Sequence, residues 1–537
     1  MDSRDRRVQA TCRRLAFSSL VPLVLACGPL SGDRSERSAK ATQALGSAGA
    51  GGVSWTGTWA ASPQVDSAIF SRQTLRQIVH TSIAGSVARV QLSNAFGTQP
   101  LVVSDAHIAR SASGSSIVAG TDRSVTFGGQ ASTIIAAGAV GVSDPVEFPV
   151  AALSDVAISF FLPQPTGPVT TAHLTALQTN YVAVGDVSAD ATFAGLQTSA
   201  YYFLANLDVQ NPAAEGAVVA LGASITDGVG SAANQNRRWP NDLAARLAKA
   251  GRTIGVLDQG ISGNALLTDG ASQAALHRFQ RDVLSQPGVK WVICSDDPIN
   301  DLGSSNPPSA DRLIAGLAQI VSTAHQSGIK FLCSTLTPFQ GAGGWTPRGE
   351  VGREAFNAFV RSAASGCDGI VDQDVATHDP ANPVRLLPAY DFGDHVHPNE
   401  AGLQAIANAV DLTLFGAGAG DSDDGGSSDA GATDDSDGGG SGSDGASSGS
   451  GGGASDGNGG LGGMSSESGA STGGPSSGVS SSSGSGPQTG AQDSGAAQGG
   501  SASRSGCASA AGSGGRATPG VALFAFTVWL VLARRRR

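Results

Sequence analysis

Four polar segments of this chain contain the side chain types that acyl transfer requires. In chain order they contain Ser224, Gly263, Asn300 and the pair Asp394 and His397. A neutral serine hydroxyl needs a base within hydrogen-bond reach, and the base needs a carboxylate that fixes its tautomer. The negative oxygen of a tetrahedral intermediate needs N–H donors that are already in place. We therefore expect Ser224 to be the nucleophile and His397 the base, with Asp394 as its partner. Gly263 supplies a backbone N–H and Asn300 a side-chain amide.

These segments follow apolar runs that recur at a regular spacing. The runs begin 36 to 40 residues apart, at Ala217, Thr253, Val289, Ile329 and Gly369. Helical patterns lie between them, such as the apolar stripe formed by Leu313, Leu317, Ile320, Val321 and Ala324. Alternation of strand and helix at this period predicts a parallel sheet with helices on both faces. The carboxyl ends of its strands share one edge, so we expect the four segments to converge there.

The preceding part of the chain, residues 53–208, alternates with period two. Leu75, Val79 and Ile83 fall on one side of such a run, and short runs are separated by glycine-containing turns. This pattern predicts an all-β sandwich. Trp55 and Trp59 are candidates for sugar stacking, although a core or interdomain position is the more usual place for tryptophan.

The four segments resemble blocks I, II, III and V of the SGNH/GDSL hydrolase family, in that order, across residues 217–412. The resemblance implies a flavodoxin-like parallel-sheet domain, a triad of Ser224, Asp394 and His397, and an oxyanion hole formed by Ser224, Gly263 and Asn300. It implies no cofactor and no metal. Residues 57–63 and 92–97 resemble the β-domain that precedes some bacterial members of the family.

The chain departs from the family pattern at two places. Ala223 stands where the family's Gly-Asp-Ser-Leu has the carboxylate that braces the loop, and Pro298 stands where Gly-x-Asn-Asp has glycine. Asp296 and Asp297 put negative charge near a site that must stabilise an oxyanion, and would oppose catalysis if they point inward. We expect reduced or altered activity. The alternative is a catalytically weakened surface protein that binds glycans.

A second alternative concerns the segment around His397. Asp391, Asp394, His395 and His397 are residue types that also bind metals, but no further cluster of ligands accompanies them. The six cysteines include no CxxC pair, which argues against a zinc site. Cys294 and Cys333 lie in predicted buried strands, where thiols are inert. With Cys367 they make an odd number, so any disulfide among the three leaves one thiol free.

The two ends of the chain predict export. Residues 1–27 have the basic start and apolar run of a signal peptide, with lipoprotein-type cleavage at Cys27 as an alternative, and residues 28–52 form a linker. The hydrolase domain, residues 209–416, is followed by a Gly-, Ser- and Asp-rich spacer, residues 417–518, which we expect to be disordered. Residues 519–537 combine a short hydrophobic helix with an arginine cluster. Together with Cys507 they resemble MYXO-CTERM sorting tails, or form a marginal transmembrane anchor.

The net charge and the predicted exported location limit the classes of binding partner and substrate that we expect. The chain has 33 Lys and Arg residues against 44 Asp and Glu residues, a net charge of −11, which disfavours a nucleic-acid partner. We expect an ester substrate met at the cell surface or outer envelope. An O-acetylated polysaccharide is one candidate, and small acyl esters or lipids are equally compatible with the sequence.

Overall fold

The computed structural model describes residues 54–416, which comprise an antiparallel β-rich region followed by an α/β region. The predicted signal peptide, linker, spacer and sorting tail lie outside the described residues. Within residues 54–416, no helix is both long and apolar enough to cross a bilayer. The predicted hydrophobic helix at 519–537 is not among the residues to which that finding applies.

The β-rich region contains fifteen strands in the described part of the chain. They are β1 (Trp55–Ala60), β2 (Gln64–Asp66), β3 (Gln73–His80), β4 (Gly85–Ser93), β5 (Leu101–Arg110), β6 (Arg123–Val125), β7 (Ser132–Ile135), β8 (Val140–Val142), β9 (Val146–Val150), β10 (Asp155–Leu162), β11 (Thr170–His173), β12 (Asn180–Val184), β13 (Leu196–Thr198), β14 (Tyr201–Tyr202) and β15 (Leu204–Gln210). One sheet has the order β1-β15-β4-β8, with β9 also on β4. The second has the order β13-β12-β3-β10-β5-β6, with β7 also on β5, and the third has the order β14-β11-β2.

The two larger sheets share one hydrophobic core, to which Leu75, Val90 and Val156 contribute from different strands. The period-two pattern correctly places Leu75 and Val79 in this core. The opposite side of β3 is also buried, because Arg76 is covered by Phe193, whose ring lies 4.6 Å from the guanidinium carbon.

The α/β region alternates strands and helices as predicted. Its strands are β16 (Gly216–Gly222), β17 (Ile254–Gly260), β18 (Val289–Cys294), β19 (Lys330–Ser334), β20 (Gly369–Val371), β21 (His378–Asp379) and β22 (Asn382–Leu386). Its helices are α1 (Ser224–Asp227), α2 (Trp239–Lys249), α3 (Ala275–Phe279), α4 (Asp297–Leu302), α5 (Ala310–Gln326), α6 (Pro347–Val360), α7 (Gln373–Thr377) and α8 (Glu400–Ala409). A π-helical turn, Gln280–Leu284, extends α3, and short 3-10 turns form at Ala363–Ser365 and Leu412–Phe415.

The predicted parallel sheet is confirmed, with the strand order β17-β16-β18-β19-β20. Numbered by sequence within the sheet this is 2-1-3-4-5, the flavodoxin-like order. The apolar stripe of α5 is buried as predicted, and strand β16 is buried along its whole length, as a parallel strand covered by helices must be. The carboxyl ends of β16, β17 and β18 therefore lie side by side.

The two regions pack directly against each other. Gly57 in β1 donates its backbone N–H to the carbonyl of Pro287 at 2.9 Å, and Val256 in β17 donates to Ser82 Oγ at 3.0 Å. The described residues belong to one compact unit. The domain boundaries given by the sequence remain predictions, although β15 ends at Gln210 and β16 begins at Gly216.

Candidate active site

Ser224 lies at the end of β16, as the first residue of the short helix α1, and is half-buried. Its hydroxyl donates to His397 Nε2 at 2.8 Å. The turn into α1 is tight, because a Cβ at Gly222 would collide with the side chains of Thr226 and Asp296. Glycine at position 222 therefore allows Ser224 to extend from the sheet edge toward His397.

Asp394 holds His397 in the tautomer that a base needs. His397 Nδ1 lies 2.6 Å from Asp394 Oδ2, and the backbone N–H groups of Val396 and His397 donate to Oδ1 at 3.1 and 2.9 Å. Desolvation acts to raise the pKa of Asp394, but the bonds from His397 and Val396 lower it to about 2. An ionised carboxylate only accepts, so the proton is on Nδ1 and Nε2 is left to accept from Ser224.

The predicted oxyanion donors lie at the ends of the neighbouring strands. Gly263 follows β17 with φ of +77°, in the left-handed region that glycine adopts without strain. Among the bonds formed within residues 54–416, none uses the backbone N–H of Ser224 or Gly263. Asn300, on α4, donates one amide hydrogen to the carbonyl of Asn264 at 2.8 Å, which leaves the second available. Three donors are thus free to bind a negative oxygen.

Asp296 is the site residue whose role the sequence analysis missed. Its carboxylate accepts the backbone N–H groups of Ala223, Ile225 and Thr226 at 3.0, 2.8 and 3.3 Å, and the Thr226 hydroxyl at 2.5 Å. These bonds fix the turn around Ser224. Of the backbone N–H groups of residues 223–226, only that of Ser224 has no partner within the described residues. The brace that Ala223 cannot supply comes from the end of β18. The missing carboxylate at position 223 beside an extra one at 296 was the available signal.

Asp297 lies beneath the site rather than in it. The residue is fully buried, with Oδ1 2.9 Å from Asn264 Nδ2 and 3.4 Å from an Arg278 nitrogen. Desolvation raises the pKa of Asp297 to about 6 despite the charge of Arg278. Pro298 falls in the first turn of α4, where backbone N–H groups have no partner within the helix, so the missing donor costs no hydrogen bond.

The other acid–imidazole pair in this loop is separate from the first. His395 Nδ1 lies 2.6 Å from Asp391 Oδ2, and neither side chain bonds to Ser224 or to His397. Asp391 therefore does not take the position of Asp394. Within residues 54–416 no group of three or more His, Cys, Asp or Glu side chains is arranged to hold a metal ion.

One cysteine prediction is wrong. Cys333 is not a free thiol but forms a disulfide with Cys367, which ties β19 to the turn before β20. Among the described cysteines Cys294 remains free, buried in β18, where desolvation raises its pKa well above the ordinary thiol value. It is a thiol of low reactivity.

Comparison with known proteins places the α/β region in a family. Residues 220–405 match the sequence profile of the GDSL-like Lipase/Acylhydrolase family. No curated protein matches the chain.

Several solved structures resemble part of the chain. A GDSL-like lipase from Bacteroides thetaiotaomicron is 20% identical over 37% of this chain and 88% of its own, with a TM-score of 0.28. An alpha/beta hydrolase enzyme from the metagenome of Lake Arreo is 24% identical over 38% and 96%, with a TM-score of 0.29. An acetyl xylan esterase from Geobacillus stearothermophilus is 21% identical over 38% and 95%, with a TM-score of 0.29. From the family match, residues 220–405 are a GDSL-like lipase/acylhydrolase domain, the domain of an SGNH-type ester hydrolase.

Proposed function

We propose that this chain is an exported serine esterase that hydrolyses carboxylic esters through Ser224, His397 and Asp394. The observation that carries the proposal is the unbroken relay from Ser224 Oγ to His397 Nε2, at 2.8 Å, and from His397 Nδ1 to Asp394, at 2.6 Å. The first distance is within the reach that proton transfer requires, and the second lets Asp394 hold the Nδ1 hydrogen of His397. The family match to residues 220–405 supports the same class of reaction.

The reaction proceeds in two half-steps. Ser224 Oγ attacks the ester carbonyl carbon while His397 Nε2 takes the hydroxyl proton, and Asp394 stabilises the resulting imidazolium. The carbonyl oxygen becomes negative and binds the N–H groups of Ser224 and Gly263 and the free amide hydrogen of Asn300. The intermediate collapses, and the alcohol leaves with the proton from His397. His397 then takes a proton from water as the water oxygen attacks the acyl carbon, and it returns a proton to Ser224 Oγ as the bond to the acyl group breaks and the acid leaves.

An acetylated polysaccharide met outside the cell is the substrate we propose. The site lies at an open rim, because the side chains of Asp394 and His395 are 44% and 54% exposed. A polymer can therefore approach the catalytic loop without entering a closed pocket. The disulfide between Cys333 and Cys367 supports export, since disulfides persist in oxidising compartments.

Hydrolysis of p-nitrophenyl acetate by the purified chain tests the proposal. We expect Ser224→Ala to lower kcat by about 10⁴-fold or more, because the remaining binding groups cannot replace the nucleophile. Ser231→Ala is the matched control, since its hydroxyl bonds only to the carbonyl of Gly228 and lies outside the relay. Labelling by a fluorophosphonate should occur in the control and be absent in Ser224→Ala.

Equal turnover by Ser224→Ala and the unchanged chain would contradict the proposal. A folded chain that shows no turnover but is retained on acetylated xylan, with or without Ser224, would instead establish the glycan-binding alternative. Release of acetate from acetylated xylan, compared with release from a small ester, tests the substrate class separately.

A further inference from the structure

A buried histidine from the β-rich region reaches the active-site side of the α/β region. His173 is the last residue of β11, and its side chain is 7% exposed. Its Nε2 lies 3.1 Å from Asp227 Oδ1, in α1, and its Nδ1 lies 3.2 Å from the backbone carbonyl of Ser62. None of the steps assigned above uses this residue.

The partners of His173 determine its protonation state. A backbone carbonyl only accepts hydrogen bonds, and so does an ionised carboxylate. Both ring nitrogens must therefore carry hydrogen when Asp227 is ionised, which makes His173 an imidazolium. Desolvation acts to lower the pKa of His173, but Asp227 outweighs it and the pKa is raised. Desolvation likewise acts to raise the pKa of Asp227, yet the contacts with His173, Arg238 and Ser262 lower it.

Other groups around the pair act in both directions. Arg238 opposes the positive charge of His173, while Asp258 favours it. The ring of Tyr201 stacks on that of His173 with centroids 6.2 Å apart. The attraction of Asp227 at hydrogen-bond distance decides the balance, so the pair is a buried ion pair.

Asp227 also binds the oxyanion loop, which we define as the residues Ser262 and Gly263 after β17. Its second oxygen, Oδ2, accepts the backbone N–H of Ser262 at 2.8 Å and the Ser262 hydroxyl at 2.6 Å. Ser262 immediately precedes Gly263, and Asp227 ends the helix that Ser224 begins. A single carboxylate thus fixes the spacing between the two backbone N–H donors. The contact is close, because a Cβ at Gly260 would collide with the backbone of Asp227.

We propose that His173 is a positioning residue for the oxyanion hole, supplied by the β-rich region and acting through Asp227 and Ser262. This inference rests on the proposed esterase function of the same site. His173 fixes the orientation of Asp227, and Asp227 fixes the turn that presents the Gly263 N–H. The residue touches neither the substrate nor the reacting atoms.

The test compares two substitutions of His173 in the full chain with p-nitrophenyl acetate as substrate. We expect His173→Leu to lower kcat by about 10- to 100-fold with little change in KM, because a misplaced donor weakens transition-state binding alone. His173→Gln keeps an N–H donor for Asp227 and should recover part of the loss. His80→Gln is the matched control. It removes another imidazole at the domain junction, one that pairs with Asp155 and contacts Asn236 but bonds to neither Asp227 nor Ser262.

The outcomes separate this inference from the proposed function. If the unchanged chain shows no turnover that depends on Ser224, the esterase proposal itself fails. If it turns over substrate and folded His173→Leu retains its kcat, or loses no more than His80→Gln, the positioning role is wrong. If His173→Leu does not fold, the kcat of His173→Gln is compared with that of His80→Gln instead. A kcat of His173→Gln that is no lower than that of His80→Gln shows that the positioning role is wrong. In the unchanged chain, ¹⁵N NMR should show both ring nitrogens of His173 protonated at neutral pH. A neutral ring overturns the inference whatever the variants do.

Discussion

At the residue scale, the lowered pKa of Asp394 keeps this carboxyl ionised near neutral pH. Its pKa of about 2 lies below the ordinary value of 3.8, so the stability it contributes is present above pH 3.8 and is lost as the pH falls through about 2. Protonation of this carboxyl therefore does not limit activity near neutral pH. The role that we propose for Asp394 is to hold the Nδ1 hydrogen of His397.

Asp394→Asn should lower kcat/KM for p-nitrophenyl acetate by about 10³- to 10⁴-fold, measured at pH 7–8. The asparagine amide can donate to Nδ1, which moves the imidazole hydrogen to Nε2 and leaves Ser224 without a base. Asp391→Asn is the control, because Asp391 pairs with His395 in the same loop. A similar loss in both variants would show that the loop, and not the tautomer, determines the rate.

Asp296→Ala should destabilise the protein by about 3 kcal/mol or more and lower kcat as well. Three buried backbone N–H groups and one hydroxyl lose their acceptor, and each unsatisfied donor costs about 1–3 kcal/mol before the turn relaxes. Urea unfolding measures the change. Asp144→Ala is the control, because Asp144 accepts two backbone N–H groups and a hydroxyl at the surface, where water replaces it. If Asp296→Ala and Asp144→Ala lower the free energy of unfolding equally, the proposed bracing role of Asp296 is wrong.

The sequence placed Ser224 after a predicted parallel strand, and the structure has it directly after β16, within hydrogen-bond distance of His397. The order of the strands alone brings such positions to one edge of the sheet, so they can be predicted without knowing how the side chains pack. The helix α7 and the hairpin of β21 and β22, which separate β20 from the loop of Asp394 and His397, had no clear pattern in the sequence. The role of Asp296 depends on how closely the turn after β16 approaches the end of β18. That approach is a contact in three dimensions, and the sequence signals it only through the carboxylate that is missing at position 223 and the additional one at position 296.

At the element scale, the disulfide anchors β20 at the edge of the parallel sheet. Cys333 and Cys367 are 34 residues apart, and closing a loop of that length restricts the unfolded chain by about 3–4 kcal/mol. We expect Cys367→Ser to lower the free energy of unfolding by that amount. Reductant, which should lower the stability of the unmodified chain, should no longer change the stability of this variant. Cys294→Ala should keep the dependence on reductant. An unfolding midpoint in urea that reductant does not change in the unmodified chain would contradict the prediction.

Helix α4 contains a carboxyl whose charge is unfavourable in the folded protein. Desolvation raises the pKa of Asp301 to about 6, although the N–H groups of Leu266 and Leu267 donate to it. A raised pKa means that the stabilising contribution is complete below about pH 3.8 and is lost as the pH rises through about 6. We expect the stability of the unmodified chain, relative to Asp301→Asn, to fall by up to roughly 3 kcal/mol between pH 4 and pH 8. A difference that stays constant across that range, measured by urea unfolding, would show that Asp301 does not titrate there.

At the scale of the whole molecule, the sequence predicted two regions but not how they meet. Hydrophobic periodicity reports which side of a strand is buried, not what buries it. The junction includes polar contacts of Ser62, His173 and Arg278, which have no periodic signature. The burial of Arg76 by Phe193 escaped prediction for the same reason, since the two residues are joined only by the fold.

The polar junction should make the two regions unfold together. Arg278, in α3, is fully buried, and its guanidinium donates to Ser62 Oγ in the β-rich region at 3.0 Å and to the carbonyl of Gln259 at 2.6 Å. Separation of the regions takes the Ser62 hydroxyl from Arg278 and breaks the buried pair of His173 and Asp227, which joins the two regions. We expect one cooperative transition in calorimetry of the full chain.

Residues 212–416 expressed alone should be less stable and less active, because they also lack His173. Two resolved transitions, or full activity from residues 212–416, would instead make the β-rich region an independent appendage.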